Sequence, residues 1–151
     1  MKGYYNLLDK IKTQLEADAF VNTVTYGDVD SVDLKKQTIF PLSHFIVNEG
    51  TYNSSVWTMN VSLICMDIVD YSKEKPTDYF RGNNNEQDVF NTQLAVVSRL
   101  MDELDRGTLH DELYQLSGAP SIEAFVDRFD NSLAGWTVTF SVDIINDIEI
   151  C

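Results

Sequence analysis

Trp136-Thr137-Val138-Thr139-Phe140-Ser141-Val142-Asp143-Ile144 alternates apolar and polar residues without an error. A period of two is the signature of a β-strand whose faces meet different surroundings. Trp136, Val138, Phe140, Val142 and Ile144 therefore face a core, and Thr137, Thr139, Ser141 and Asp143 face solvent or a contact. A strand of this kind belongs to an antiparallel sheet covered on one side. Some other element must supply the cover.

That element lies upstream, between Asn85 and Gly107. Phe90, Leu94, Val97, Met101 and Leu104 step by four, three, four and three residues, which makes a continuous apolar stripe on a helix. Asn85 is expected to cap it, Asp88 falls in its first turn, and Arg106-Gly107 provides a cation and a stop. Two heptads are too few for a coiled coil, so the stripe is expected to lie on a sheet. Residues 3 to 18 form a second amphipathic helix, with Tyr4, Leu7, Leu8, Ile11 and Leu15 on one face.

Three strands are expected between the helices. Asn22 to Tyr26 is short, β-branched and aromatic, and ends at Gly27-Asp28. Pro41 to Gly50 starts after a proline and stops at a glycine. In the third, Trp57, Met59, Val61, Leu63 and Cys65 alternate with polar residues until Ile64, Met66 and Ile68 make both faces apolar. Asp28 to Lys36 is a polar loop. Tyr71 to Asn85 is a long loop rich in Lys, Pro, Gly and Asn, and loops of that length are often functional. Leu109 to Pro120 reads as a connector with a helical turn around Glu112-Leu113-Tyr114. Ile122 to Phe129 fits a helix through Ile122, Phe125, Val126 and Phe129, or an edge strand through Phe125, Asp127 and Phe129.

With 151 residues, 44% of them hydrophobic and 23% charged, the chain is a single globular domain over residues 1–151, without repeats or a composition shift. Acids outnumber bases 24 to 11, for a net charge of −13. The imbalance is concentrated: residues 1–75 carry net −3 and residues 76–151 net −10. Phosphate binding requires a basic face, so nucleic-acid binding and adhesion to anionic membranes are both disfavoured. No apolar run approaches a membrane span, and the N-terminus lacks a leader pattern, so synthesis without export is expected. Cys65 and Cys151 are too few for a disulfide framework, and Cys65 reads as a small core residue.

Chemistry is sparse. The two histidines, His44 and His110, stand in no nucleophile motif, and His and Cys residues are scattered without zinc-ligand spacing. Asp28, Asp30 and Asp33 crowd one loop, but Val32 and Asp33 occupy the positions where a calcium loop needs an oxygen ligand and a glycine. No glycine-rich phosphate loop is present. The expectation is no catalysis, no metal and no cofactor. Exposed strand edges, long polar loops and aromatic residues such as Tyr79, Phe80 and Trp136 suit an assembly surface instead.

Three segments, Val24-Thr25-Tyr26-Gly27-Asp28, Val32 to Leu42, and Arg128-Phe129-Asp130-Asn131-Ser132-Leu133-Ala134-Gly135-Trp136, resemble the tail-terminator and tail-completion (head–tail joining) proteins of tailed bacteriophages. The likeness runs over nearly the whole chain. It implies a helix, a short strand, a hairpin of two longer strands, a long helix crossing the sheet and a C-terminal hairpin, and so turns Ile122–Phe129 into a strand. The expected fold is α+β in the order α-β-β-β-α-β-β, with a mostly antiparallel sheet of four to five strands and two main helices packed on it.

By the same resemblance the protein is a structural virion component, made in the host cytoplasm, that forms a homo-oligomeric ring of six or twelve subunits. Its neighbours would be tail tube, portal or connector proteins, and DNA would pass through without specific binding. For the subunit interface the expected residues are Asp28, Asp30, Asp33, Lys35 and Lys36 in the first loop and Tyr79, Phe80 and Arg81 in the second. A channel lined with carboxylates repels phosphate and lets DNA slide, so Asp102, Glu103 and Asp105 are candidates for the lumen. The alternative from charge alone is an acidic DNA mimic that occupies the basic cleft of a partner protein.

Overall fold

The computed structural model describes residues 3–28, 37–70, 77–80, 82, 85–128 and 132–146. The elements are α1 (Gly3–Glu16), β1 (Thr23–Tyr26), a 3-10 turn (Gln37–Ile39), β2 (Leu42–Asn53), β3 (Val56–Ile68), α2 (Glu86–Arg106), the single turn α3 (Thr108–Asp111), β4 (Gln115–Arg128) and β5 (Leu133–Ile145). The expected α+β class and element order hold. The five strands lie in the order β1-β2-β3-β5-β4, with β1 parallel to β2 and every other pair antiparallel.

Cross-strand register explains why the alternating strands were so regular. Val61 faces Phe140, Leu63 faces Val138 and Met59 faces Val142, so the odd residues of β3 and the even residues of β5 share one face. Leu7, Ile11 and Leu15 of α1 close over this face together with Val96, Val97, Leu100 and Leu104 of α2 and Leu109 of α3, forming the main core. Complete burial of each such side chain contributes about 1.5–3 kcal/mol. A smaller cluster of Phe40, Leu42, Met66 and Leu133 lies on the opposite face, at the end where β3 finishes. This is why Ile64, Met66 and Ile68 break the polar alternation of β3.

Several local expectations are corrected. β2 does not stop at Gly50 but continues to Asn53, because β3 still offers partners there; a Cβ on Gly50 would sit 2.9 Å from Met59 Sδ, so the glycine makes room inside the strand. α2 buries Val89, Gln93, Val96, Val97, Leu100 and Leu104, a face rotated from the stripe at 90, 94, 97, 101 and 104. Phe90 instead reaches the rim, where its carbonyl accepts the Trp136 indole N–H at 2.9 Å and its ring meets Trp136 edge-on. Asn85 stands at the helix start without capping it. Its Oδ1 accepts the Asp70 N–H at 2.7 Å and its Nδ2 donates to Ile68 O, strapping α2 to the end of β3.

Gly107 ends α2 in extended backbone, and the next turn is α3 at 108–111 rather than a turn around Glu112–Tyr114. Residues 115–120, expected as connector, are already strand. Asp143, Val142 and Ser141 of β5 pair with Gln115, Leu116 and Ser117, and a bulge between Ser117 and Ser121 absorbs Gly118 and Pro120. An edge strand tolerates a proline at a bulge because its outward N–H has no ladder partner to lose.

An ion pair ties the segment after α1 to α2. Arg99 Nε and Nη2 donate to Asp18 Oδ2 and Oδ1 at 2.5 and 2.8 Å, and the guanidinium lies over the Phe20 ring. Burial works against the Asp18 charge, but the Arg99 hydrogen bonds, the Phe20 N–H and the Arg99 charge outweigh it and hold the carboxyl below its usual range. A depressed carboxyl stabilises the fold above its unfolded pKa and loses that contribution as pH falls through the folded one. Arg99→Ala should therefore cost about 1 kcal/mol at neutral pH, Arg99 being nearly half exposed. Urea titrations of both proteins should converge below about pH 4; a pH-independent gap would show that the arginine acts by packing alone.

Candidate functional surfaces

The sheet face away from the helices is polar over the first half of β3 and the facing parts of β2 and β5, and apolar where β3 finishes. Asn48, Thr58, Asn60, Ser62, Thr139, Ser141 and Asp143 lie on it, linked across three strands. Thr58 Oγ1 donates to Asp143 Oδ1 at 2.6 Å, Asn48 Nδ2 reaches Asn60 Oδ1 and Ser62 Oγ at 3.1 and 2.6 Å, and Asn60 Nδ2 reaches Ser141 Oγ at 3.4 Å. Asn48 can span two residues of β3 because it is the extra residue of a bulge between Val47 and Glu49. Such cross-strand ladders hold hydroxyls and amides in fixed positions, and the carboxylates of Glu49, Glu123 and Asp143 lie on the same face.

Of the residues expected at an interface, Asp28 is exposed just past β1. It borders a hollow of about 320 Å³ with Gly27, His44, Ile46, Asn48, Ser62 and Ile64. Asp30, Asp33, Lys35, Lys36 and Arg81 lie outside the described residues, as does Cys151. Tyr79 and Phe80 are 75% and 76% exposed, at the end of the sheet where β3 finishes and α2 begins. Phe80 is held there by its backbone: its N–H donates to Asp78 Oδ1 and its carbonyl accepts from Gln87 Nε2. Asp28 and the aromatic pair thus belong to different parts of the molecule, one on the β1 side and one above the strand ends.

The three acids of the last turns of α2 have separate tasks. Asp102 pairs with Arg106 at 3.3 Å, and Glu103 Oε2 accepts the Thr108 N–H at 3.0 Å, which starts α3. Asp105 points to solvent.

His44 is buried with both ring nitrogens engaged, Nδ1 with Thr25 Oγ1 at 2.6 Å and Nε2 with Gly27 O at 2.7 Å. It locks β1 onto β2. Burial pushes the Cys65 thiol up to about 12, although the Ser43 hydroxyl at 3.6 Å favours the thiolate slightly, so this cysteine is a core residue without nucleophilic character. Among the described residues no three His, Cys, Asp or Glu side chains gather closely enough to hold a metal, and no described helix is long and apolar enough to cross a membrane.

No protein-family model matches this chain, and no curated protein matches it either.

One feature escaped the sequence reading, and another was expected there without being located. The first is Gln93, 1% exposed, with both amide atoms lacking a partner in the core. The other is the pair of open sheet edges. β1 pairs only with Leu42–Phe45, so among the described strands nothing covers β2 from Asn48 to Asn53, and β4 has a neighbour on one side alone. Strand edges are set by topology, which no single segment encodes.

Proposed function

We propose that this protein is a structural subunit of a ring at the head–tail junction of a tailed bacteriophage, a tail terminator or connector through which DNA passes. The observation that carries the reading is the one-sided construction of the fold. All three helices cover one face of the sheet, and much of the other is a hydrogen-bonded surface of hydroxyls, amides and carboxylates on a protein of net charge −13. A surface that carries carboxylates among its hydroxyls and amides does not grip phosphate, and no described strand covers β4 on its outer side or the end of β2. The resemblance of residues 24–28, 32–42 and 128–136 to tail-completion proteins points the same way.

Native mass spectrometry across a concentration series, with electron microscopy of the oligomers, tests this directly. A closed ring of identical subunits is the expected result. A monomer at every concentration that also fails to bind isolated tails or portal complexes would overturn it. In such a ring, the exposed acids of α2 are the proposed channel lining. Reversal of Asp102, Glu103 and Asp105 to Lys should slow DNA ejection, and unchanged ejection would turn the helices outward and give the channel to the polar sheet face.

A further inference from the structure

We infer that copies of this chain join edge to edge, β4 of one subunit pairing antiparallel with the Asn48–Asn53 segment of β2 in the next, so that a single sheet runs from subunit to subunit. The inference rests on the ring reading above and specifies the contact that closes it.

Direction comes first. β2 is antiparallel to β3, β3 to β5 and β5 to β4, so β4 runs opposite to β2 within one subunit. Two copies placed side by side in the same orientation, as a rotational ring requires, therefore bring β4 against β2 as antiparallel neighbours with their helices on the same face. A heterologous contact of this kind uses two different surfaces and can close a ring.

Length comes next. β1 occupies β2 only through Phe45, with Gly27 N–H donating to Phe45 O, and the strand then runs exposed from Asn48 to Asn53. The regular part of β4 beyond its bulge, Ser121 to Val126, has the same six residues. It carries an apolar strip that α2 does not cover: Ile122 is 40% exposed and Val126 44%. Uncovered apolar edges without lysine are the kind that recruit another strand.

Faces and charges then select the register. Gly50 and Tyr52 lie on the helix side, opposite Met59 and Trp57, while Ile122 and Ala124 lie on the helix side through Val138 and Trp136. Pairing Tyr52 with Ile122, Thr51 with Glu123, Gly50 with Ala124 and Glu49 with Phe125 matches every face. Ile122 then meets a tyrosine whose ring already lies tilted against Trp57 with 5.1 Å between centroids, an aromatic to β-branched contact of the favourable kind. A slip of two residues one way sets Glu49 against Glu123, and the same slip the other way carries Glu49 past Val126, where the register of β4 shifts. Like charges directly opposite are destabilising and an irregular stretch breaks the ladder, so both slips are penalised.

Cysteine cross-linking reads the register. In a Cys151→Ser background, Thr51→Cys combined with Glu123→Cys places two thiols on directly opposed residues of adjacent subunits, within disulfide reach. Mild oxidation at high protein concentration should yield a ladder of covalent oligomers that ends at the ring number, while neither single variant cross-links. Ala124→Cys alone tests a two-fold β4–β4 pair, and a covalent dimer from it with none from the double variant would overturn the proposal. Absence of any cross-link in the double variant overturns it as well. Rings seen by electron microscopy in that same sample would leave the ring reading standing and remove only the edge pairing, whereas monomers throughout would count against both.

Discussion

Gly135→Ala should destabilise the fold by about 3 kcal/mol or more, enough to remove a large part of the stability of a small domain. A Cβ built on Gly135 would lie 1.9 Å from the Cys65 carbonyl oxygen and 2.8 Å from Met66 Cα. These are backbone atoms of the neighbouring strand and cannot swing aside as a side chain would. Gly135 sits in β5 opposite Met66 on one side and Phe125 on the other, so a shift there disturbs three strands together. Gly118→Ala is the matching control. It lies at the β4 bulge with a φ of +73° and open space around it, so the strain of the left-handed backbone, about 1 kcal/mol, is its only cost. Urea denaturation of the two variants should separate them clearly, and equal losses would refute the close-approach argument.

Gln93→Met should stabilise the protein by about 1–3 kcal/mol, the cost of holding an amide in an apolar core without partners. Gln93 stands on the buried face of α2 among Val89, Val96 and Val97, and neither its Oε1 nor its Nε2 meets a hydrogen-bonding group. Methionine has the same length, fills the same volume without polar atoms and keeps a strong helix propensity. At this chain length each kcal/mol gained raises the melting temperature by about 2–4 °C. A lowered melting temperature would mean that in solution the amide is hydrogen-bonded through a buried water, and its removal then leaves a hole.

The residues that were hardest to read explain why part of the site was invisible in the chain. Gln93 counted against the true buried face of α2, so the apolar stripe drawn through Phe90, Leu94 and Met101 was rotated from the face that packs on the sheet. Burial against a broad sheet is decided by where the helix axis lands, and a period count cannot see that. Gly50 and Pro120 were read as boundaries because they usually are, yet a hairpin partner and a bulge carried both strands past them. Asn85 has the right chemistry for a cap, but the end of β3 lies close enough to claim its amide. In each case a residue's local preference lost to a neighbour distant in sequence.

The strong periodic segments were decided by sequence alone. The alternation of β5 and of the first half of β3, the α1 face of Leu7, Ile11 and Leu15, and the extent of α2 all follow from side chains that must sort between water and core, a local choice repeated every two or every three to four residues. So does the acidic balance of 24 acids against 11 bases. Only the tertiary structure decided which strands became neighbours, and with that the polar ladder from Asn48 through Asn60 to Ser141 and the two sheet edges that no described strand covers. Strand order and register arise from long-range pairing, where the energy belongs to residues brought together by folding, as Val61 and Phe140 are, and is carried by neither segment by itself.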